Sequence, residues 1–401
     1  MSRRSILETY RAQVRRELEE NILPFHLNHA VDHVHGGLYG YVANDLTVRQ
    51  DAPKGVIHHA RTLWAFSHVT HLFDDPCYRE MADEACAYLL GRFWDGSHDG
   101  LYWLVDPLGR PDDTRKLTYG QAFGIYGLAE YHRATGHEAS LARAVDLFHL
   151  LETHVWDEAH RGYLDGKERD WGEYTGDSVD EVPAAKTMNT HLHLVEAYTN
   201  LLRVWRDDRL VARLGDLIDV TLTHIVDPTT AHLQLHFDEA WTLLSDHVSF
   251  GHDIEASWLL VEAAEVLEDA DLLDRVQALA LRMAQVTLDE GVDEDGSLFY
   301  EGANGEIVDP VKDWWPQAEA MIGFLNAYQL GGGDHFLDAS LRSWDYVQDR
   351  LIDREHGEWI WGVNQEGVPA DRAKVGLWKA PYHNSRACVE VMRRVDSLLA
   401  E

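Results

Sequence analysis

The sequence predicts an all-α fold, an (α/α)6 barrel with short β-hairpins connecting the helices. Two observations carry this: a segment that recurs six times, and a pair of helical patterns in each interval. The recurring segment is rich in glycine and aromatics. It stands as His35-Gly-Gly-Leu-Tyr39, His98-Asp-Gly-Leu-Tyr102, His160-Arg-Gly-Tyr163, Ala231-His-Leu-Gln-Leu235, Asp295-Gly-Ser-Leu-Phe299 and Glu355-His-Gly-Glu-Trp359. Successive copies lie about 60–70 residues apart, room for a two-helix repeat with a hairpin. Asn-Gly and Glu-Gly pairs in Tyr300-Glu-Gly-Ala-Asn-Gly-Glu306 and Trp361-Gly-Val-Asn-Gln-Glu-Gly367 are hairpin signals. Helical patterns run from Tyr78 to Phe93 and Thr118 to Arg133, then from Ala139 to His154 and Thr187 to Arg203. Met188, Leu192, Val195, Tyr198 and Leu202 show the three- and four-residue steps of a buried face. An open solenoid would carry polar, atypical end repeats. The end repeats here resemble the others, which favours a closed ring and one catalytic domain over residues 1–401.

Composition narrows the function. Apolar residues make up 45% of the chain and aromatics 10%, enough for a large core. No run reaches the ~18 uninterrupted apolar residues of a membrane span. The N-terminal MSRRSILETYRAQVRRELEE is charged and helix-like, without the apolar centre of a signal peptide. Cys77, Cys86 and Cys388 are too scattered for a disulfide framework or a zinc cluster. The cytoplasm is the expected location. Asp and Glu number 69 against 35 Lys and Arg, a net charge of -34 that opposes binding to nucleic acid or anionic lipid. With 24 histidines in the chain, position decides which of them matter. No oligomeric interface can be read from the sequence.

The second helix of each pair opens on distinctive residues: Arg61, Tyr119, Asn189 with His193, His252 with Glu255, Trp315, and His383. If these six helices form an inner ring running in one direction, the side chains converge on one mouth. Asn189 and His193, four apart, share a helix face. His191 and His193, two apart, do not, so they are not read as metal ligands and no metal or other cofactor is expected. His252 and Glu255 are three apart on one face, where a carboxylate fixes the tautomer of a working imidazole. The helix N-terminus favours the neutral ring; a capping or surface histidine is the plain alternative. His383 follows Pro381 at another helix start. Trp315 and Trp378 offer apolar faces to sugar C–H groups, with core packing or a hydrophobic staple at Trp314-Trp315-Pro316 as the alternative. Arg61 supplies planar, paired donors suited to an oxyanion, or else an interhelical salt bridge.

Met188-Asn-Thr-His-Leu-His193, Ser249-Phe-Gly-His-Asp-Ile-Glu-Ala-Ser-Trp-Leu-Leu260, Trp314-Trp-Pro-Gln-Ala-Glu319, Trp378-Lys-Ala-Pro-Tyr-His-Asn384 and Arg386-Ala-Cys388 together resemble the cellobiose 2-epimerases of the N-acylglucosamine 2-epimerase superfamily. The likeness covers nearly the whole chain. It implies an (α/α)6 barrel working without metal or nucleotide. The branch named for N-acylglucosamine takes ATP as an activator, and this sequence carries no phosphate-binding loop. By the same resemblance His252 and His383 are the acid–base pair, His193 assists beside the ring-opened substrate with Asn189 positioning it, and Arg61 holds the oxygens at C1 and C2. Tyr119, Glu255, Trp315 and Trp378 complete the pocket. Leu377 stands where an aromatic is expected and Ser385 where glycine is usual, both flanking the reducing-end pocket. Asp180 and Glu181 are the candidates for an acidic residue expected before the asparagine–histidine motif.

The implied reaction inverts C2 of the reducing sugar of a β-1,4 disaccharide such as cellobiose or lactose. A proton beside an aldehyde leaves only when the enediolate is stabilised. Histidine suits both exchange roles because its ordinary pKa, about 6.5, lies near working pH. One imidazole is to be neutral while the other is protonated. The same residues would serve an epimerase of free mannose and glucose, or an aldose–ketose isomerase. Hydrolysis would instead use carboxylates such as Glu255 and Glu319, about 6.5–9.5 Å apart for inversion. A sugar-binding protein would need the tryptophans and no inward histidines.

Overall fold

The computed structural model describes residues 2–400. The chain opens on α1 (Arg3–Glu17), which a π-turn (Leu18–Ile22) joins to α2 (Leu23–His29). Five helix pairs follow: α3 (Val56–Val69) with α4 (Pro76–Tyr88), α5 (Thr118–Thr135) with α6 (Glu138–His154), α7 (Met188–Leu202) with α8 (Asp208–Val220), α9 (Phe250–Leu267) with α10 (Ala270–Val286), and α11 (Trp314–Gln329) with α12 (Asp334–Tyr346). The last helix, α13 (His383–Ala400), takes α1 as its partner. Helices α3, α5, α7, α9, α11 and α13 each pack on the next, and α13 returns to α3. This is the (α/α)6 ring.

The two layers differ as their sequences require. Every residue of α7 is buried, whereas α8 buries only Leu210, Leu214, Leu217, Ile218 and Val220, the stripe of an outer helix. The pattern from Tyr78 to Phe93 is α4 plus a π-turn, Leu89–Phe93. Similar π-turns end α8, α10 and α12.

Each copy of the recurring segment is a tight turn closed by one bridge: Val31 to Leu38, Trp94 to Leu101, Trp156 to Tyr163, Val226 to Leu233, Val292 to Leu298 and Ile352 to Trp359. The fourth residue of an inner helix grips that turn. His59 Nε2 accepts the Leu38 N–H and His191 Nε2 the Tyr163 N–H, both at 3.0 Å, while Gln121, Asp253 and Gln317 do the same for Leu101, Leu233 and Leu298. The partner of His193 in sequence is therefore a structural strut. Gly37 and Gly162 meet these imidazoles in left-handed backbone (φ 67° and 80°), where an added Cβ would come within 2.8 Å of the ring nitrogen.

Most two-residue strands pair between neighbouring repeats instead of within one hairpin. Lys54-Gly55 pairs with Leu104-Val105, Lys116-Leu117 with Gly166-Lys167, Lys186-Thr187 with His236-Phe237, and Lys312-Asp313 with Gly362-Val363. Tyr41-Val42 pairs with Val375-Gly376, so the same stitch joins the first and last repeats. The Asn304-Gly305 hairpin forms locally, with both residues at the positive φ that its turn requires.

Five of these junctions hold a buried ammonium. Lys54, Lys116, Lys186 and Lys312 reach Asp32 (2.7 Å), Asp95 (3.2 Å), Asp157 (2.8 Å) and Asp293 (2.5 Å), and Lys374 reaches Asp353. In the remaining repeat Val248 stands at the lysine's place, two residues before α9. The seam between α2 and α13 adds a buried cluster in which Glu358 accepts from Lys379 (2.8 Å) and Asn384 (2.7 Å) and meets His26 at 3.2 Å.

Breaking one buried pair from one side strands a charge. Asp32→Ala is expected to cost about 3–5 kcal/mol of unfolding free energy. Replacing both partners with apolar residues should cost much less, and denaturant unfolding of the two variants distinguishes these outcomes.

Candidate active site

A cavity of about 720 Å³ opens where the inner helices begin, inside the about 300–1,000 Å³ range of small-molecule sites. Arg61, Tyr119, Asn189, His193, His252, Glu255, Trp315, Trp378 and His383 all line it. Most occupy the first two turns of an inner helix. Trp378 sits in the segment leading to α13.

The histidines are held in different ways. His383 Nδ1 donates to Glu319 Oε1 at 2.7 Å, and His193 Nδ1 to Glu196 Oε2 at 2.9 Å. A carboxylate only accepts, so each ring donates from Nδ1 and leaves Nε2 as its other nitrogen for a substrate. His252 departs from the expectation: its Nδ1 meets Ser249 Oγ at 2.8 Å, and Glu255 turns instead to Arg386. Ser249 precedes α9 and spends its hydroxyl on the imidazole instead of capping the helix. Burial pushes His252 down to about 3, with His193 and Arg61 adding and Asp180 opposing. His383 is held well below its ordinary value, first by burial and then by Arg61 and Arg386. Burial therefore favours the neutral form of both rings. They flank a common surface, since the Trp315 ring lies 4.6 Å from His252 and 5.5 Å from His383.

Arg61 forms no salt bridge among the described residues. It donates to the Trp378 carbonyl (3.0 Å) and the Tyr119 hydroxyl (2.8 Å), and its guanidinium lies 4.4 Å from the Phe123 ring centre. Of the two acidic candidates, Asp180 engages the motif: it accepts from Asn189 at 2.7 Å and meets His236 at 3.4 Å. Burial raises the Asp180 carboxyl, but these two partners hold it below its ordinary value. Leu377 and Ser385 do not line the cavity. Leu377 lies over Gly55, where a Cβ would come within 2.2 Å of it, and Ser385 donates to the Pro381 carbonyl.

Sequence reasoning missed the ion cluster that lies behind Glu255. Arg386 is buried and donates to Glu196, to Glu255 (2.5 Å) and to Glu319 (2.7 Å), beside the Tyr382 hydroxyl. The three-residue spacing of His193 and Glu196, the same as that of His252 and Glu255, was the available signal. Burial, with Glu319 adding, raises Glu255 to about 7, and its Oε2 has no partner among the described residues. Oxygens of Glu255 and Glu319 lie within 4.8 Å of each other and of a His383 ring nitrogen, a spacing that would suit a cation. The Arg386 guanidinium already bonds both carboxylates. Tied to one arginine, with Glu319 outside the cavity lining, the two cannot flank a glycosidic bond as hydrolysis requires.

Neutral imidazoles on one cavity, an arginine free of carboxylates and adjoining tryptophans define an (α/α)6-barrel isomerase. The family described as N-acylglucosamine 2-epimerase (GlcNAc 2-epimerase) matches residues 36–387. The cellobiose 2-epimerase of Bacteroides fragilis is 41% identical over 390 residues, covering 96% of this chain and 99% of that one. That of Dictyoglomus turgidum is 37% identical, over 97% and 100%. The solved cellobiose 2-epimerase of Bacillus thermoamylovorans superimposes with a TM-score of 0.93 at 42% identity, over 96% of this chain and 100% of that one. The chain belongs to the N-acylglucosamine 2-epimerase family.

Glu319→Gln tests the His383 arrangement. Losing the negative charge disfavours the imidazolium, so His383 protonates at still lower pH and the acid limb of kcat/KM moves down. The plateau falls too, because the base is weaker, but by less than the about 10²–10⁴ expected for losing the imidazole. A pH–rate profile reads both effects, and an upward shift of the acid limb contradicts the arrangement.

Proposed function

We propose that this chain is a sugar 2-epimerase that interconverts glucose and mannose configurations at the reducing end of β-1,4 disaccharides such as cellobiose and lactose. One observation carries the reading: His252 and His383 reach a single cavity from helices two repeats apart, with Arg61, which meets no carboxylate among the described residues, beside them. The family and the cellobiose 2-epimerases it resembles support the substrate class. The whole ring, residues 1–401, acts as one catalytic domain. No helix of the described residues is long and apolar enough to cross a membrane, which is compatible with a cytoplasmic activity.

In this mechanism His193, backed by Glu196, assists opening of the sugar ring while Asn189 and Asp180 position it. One of His252 and His383 takes the C2 proton on Nε2. The electrons pass to the carbonyl oxygen, and Arg61 stabilises the resulting enediolate. The other histidine returns a proton to the opposite face. Glu319, through Nδ1 of His383, stabilises the imidazolium as it forms. Burial favours the neutral form of both rings, so this cycle needs the returning histidine to gain a proton in the complex. Calorimetry in buffers of different ionisation enthalpy should show proton uptake on sugar binding above pH 6.5; none would contradict this cycle.

Turnover in heavy water should place deuterium at C2 of the product. Hydride transfer would retain the substrate's hydrogen. His252→Ala or His383→Ala should each lower epimerisation by at least about 10²–10⁴. The variant that keeps the base for a given epimer should still wash label into recovered substrate. NMR of product and substrate settles both points, with cellobiose and mannose compared side by side. Unlabelled product would remove the two-histidine mechanism.

A further inference from the structure

Asp165 breaks the pattern of the repeats. Its counterparts, two residues past the bridge that closes each turn, are Gly40, Trp103, Leu235, Tyr300 and Trp361. None carries a charge, so the ring itself does not call for a carboxylate there. The connection that follows is exceptional too. From Asp165 to Lys186 it is longer than its counterparts, such as Trp103 to Lys116 and Tyr300 to Lys312, and it brings residues 179–184 to the cavity wall. Helix α7, where the connection ends, also stands apart. Of α3, α5, α7, α9 and α11 it alone has a side-chain N-cap: Thr187 Oγ1 accepts the Thr190 N–H at 3.1 Å.

Asp165 is buried and reaches both features. One oxygen accepts the Thr187 hydroxyl at 2.7 Å, and the other accepts the Val179 N–H at 2.6 Å. The Thr187 hydroxyl, donating to Asp165, turns its lone pair to the helix. The Asp165 backbone adds two bonds, from its N–H to the Ala185 carbonyl and to its carbonyl from the N–H of Thr118, which opens α5. Burial raises the Asp165 carboxyl to about 6, with Asp180 adding and the neighbouring hydroxyls and the Val179 N–H opposing, so both oxygens accept at neutral pH. The two segments joined in this way carry Asp180 and Asn189, which meet at 2.7 Å.

We propose that Asp165 is a positioning residue for the site: by tying the Val179 backbone to the cap of α7, it sets the contact between Asp180 and Asn189. The proposal rests on the epimerase reading for what that contact then does to the sugar.

The test is a double-substitution cycle on kcat/KM for cellobiose, with cellobiose affinity measured in parallel by calorimetry. Asp165→Asn sets an amide donor against one of the two donors that the carboxylate accepts. It should lower kcat/KM at least about tenfold, the effect of losing a hydrogen bond to a charged group. Thr187→Val cuts the same link from the helix side and stands in if Asp165→Asn does not fold. Thr187→Ser keeps the hydroxyl and should recover the rate. Each loss is then measured again in Asn189→Ala. If Asp165 works through the contact, the added substitution lowers kcat/KM there by less than about twofold. A larger further loss, tending to the product expected of independent sites, overturns the assignment. So does an unchanged rate in Asp165→Asn, or a Thr187→Ser as impaired as Thr187→Val. If the protein binds cellobiose without epimerising it, the same cycle read on affinity decides the positioning role, and the epimerase reading falls by itself.

Discussion

A single buried guanidinium, that of Arg386, organises the floor of the site. An arginine does not lose its charge in any working pH range, so burying one demands compensation. Glu196, Glu255 and Glu319 come from three different inner helices to supply it, and the rings of Tyr382 and Trp258 lie 4.3 and 4.8 Å from the guanidinium carbon. Two of those carboxylates are also the anchors of His193 and His383. The ion cluster therefore fixes how two imidazoles stand in the cavity and which nitrogen each presents. The electrostatics follow from the same arrangement: burial raises all three carboxylates, Arg386 and His193 bring Glu196 below its ordinary value, and Glu255, with Glu319 adding, and Glu319, with Glu196 adding, stay above theirs.

Much of this was legible in the sequence, for a physical reason. Helix starts, turn glycines and the six-fold period are local signals, and the inner-ring geometry converts equivalent local positions into one mouth. Once Arg61, Tyr119, Asn189, His252, Trp315 and His383 stood near the starts of their helices, ring closure brought them together. What stayed hidden depends on pairing between distant segments. Arg386 meets Glu196 across 190 positions, and the Trp361 indole meets Asp313 across 48. Glu255 had the correct spacing to serve His252, but the stronger demand of the Arg386 charge drew it away, and Ser249 took its place. Local spacing states which side chains can meet, and long-range charge decides which of them do.

The strand stitches explain how six unequal repeats make an even ring. Each two-residue strand ties one repeat to the next, and in five places a lysine–aspartate pair locks the junction. The aspartate also accepts backbone N–H groups of its own turn, as Asp32 does from Val34 and His35. One carboxylate thus shapes a turn and joins two repeats. The exception, at Val248, falls beside α9. There the junction is the three-stranded sheet that carries the Asn304-Gly305 hairpin along the rim of the cavity.

The pairing of α13 with α1 governs the order in which the molecule can become active. Helix α13 carries both His383 and Arg386, and its outer partner is the first helix of the chain. During synthesis the early repeats can stack on one another as they emerge. Glu196, Glu255 and Glu319 are then laid down around an empty place, three carboxylates facing each other without their cation. The cation that pairs with all three, Arg386, is supplied by α13. Closing the ring, pairing the three carboxylates and placing His383 in the cavity thus all depend on the same helix.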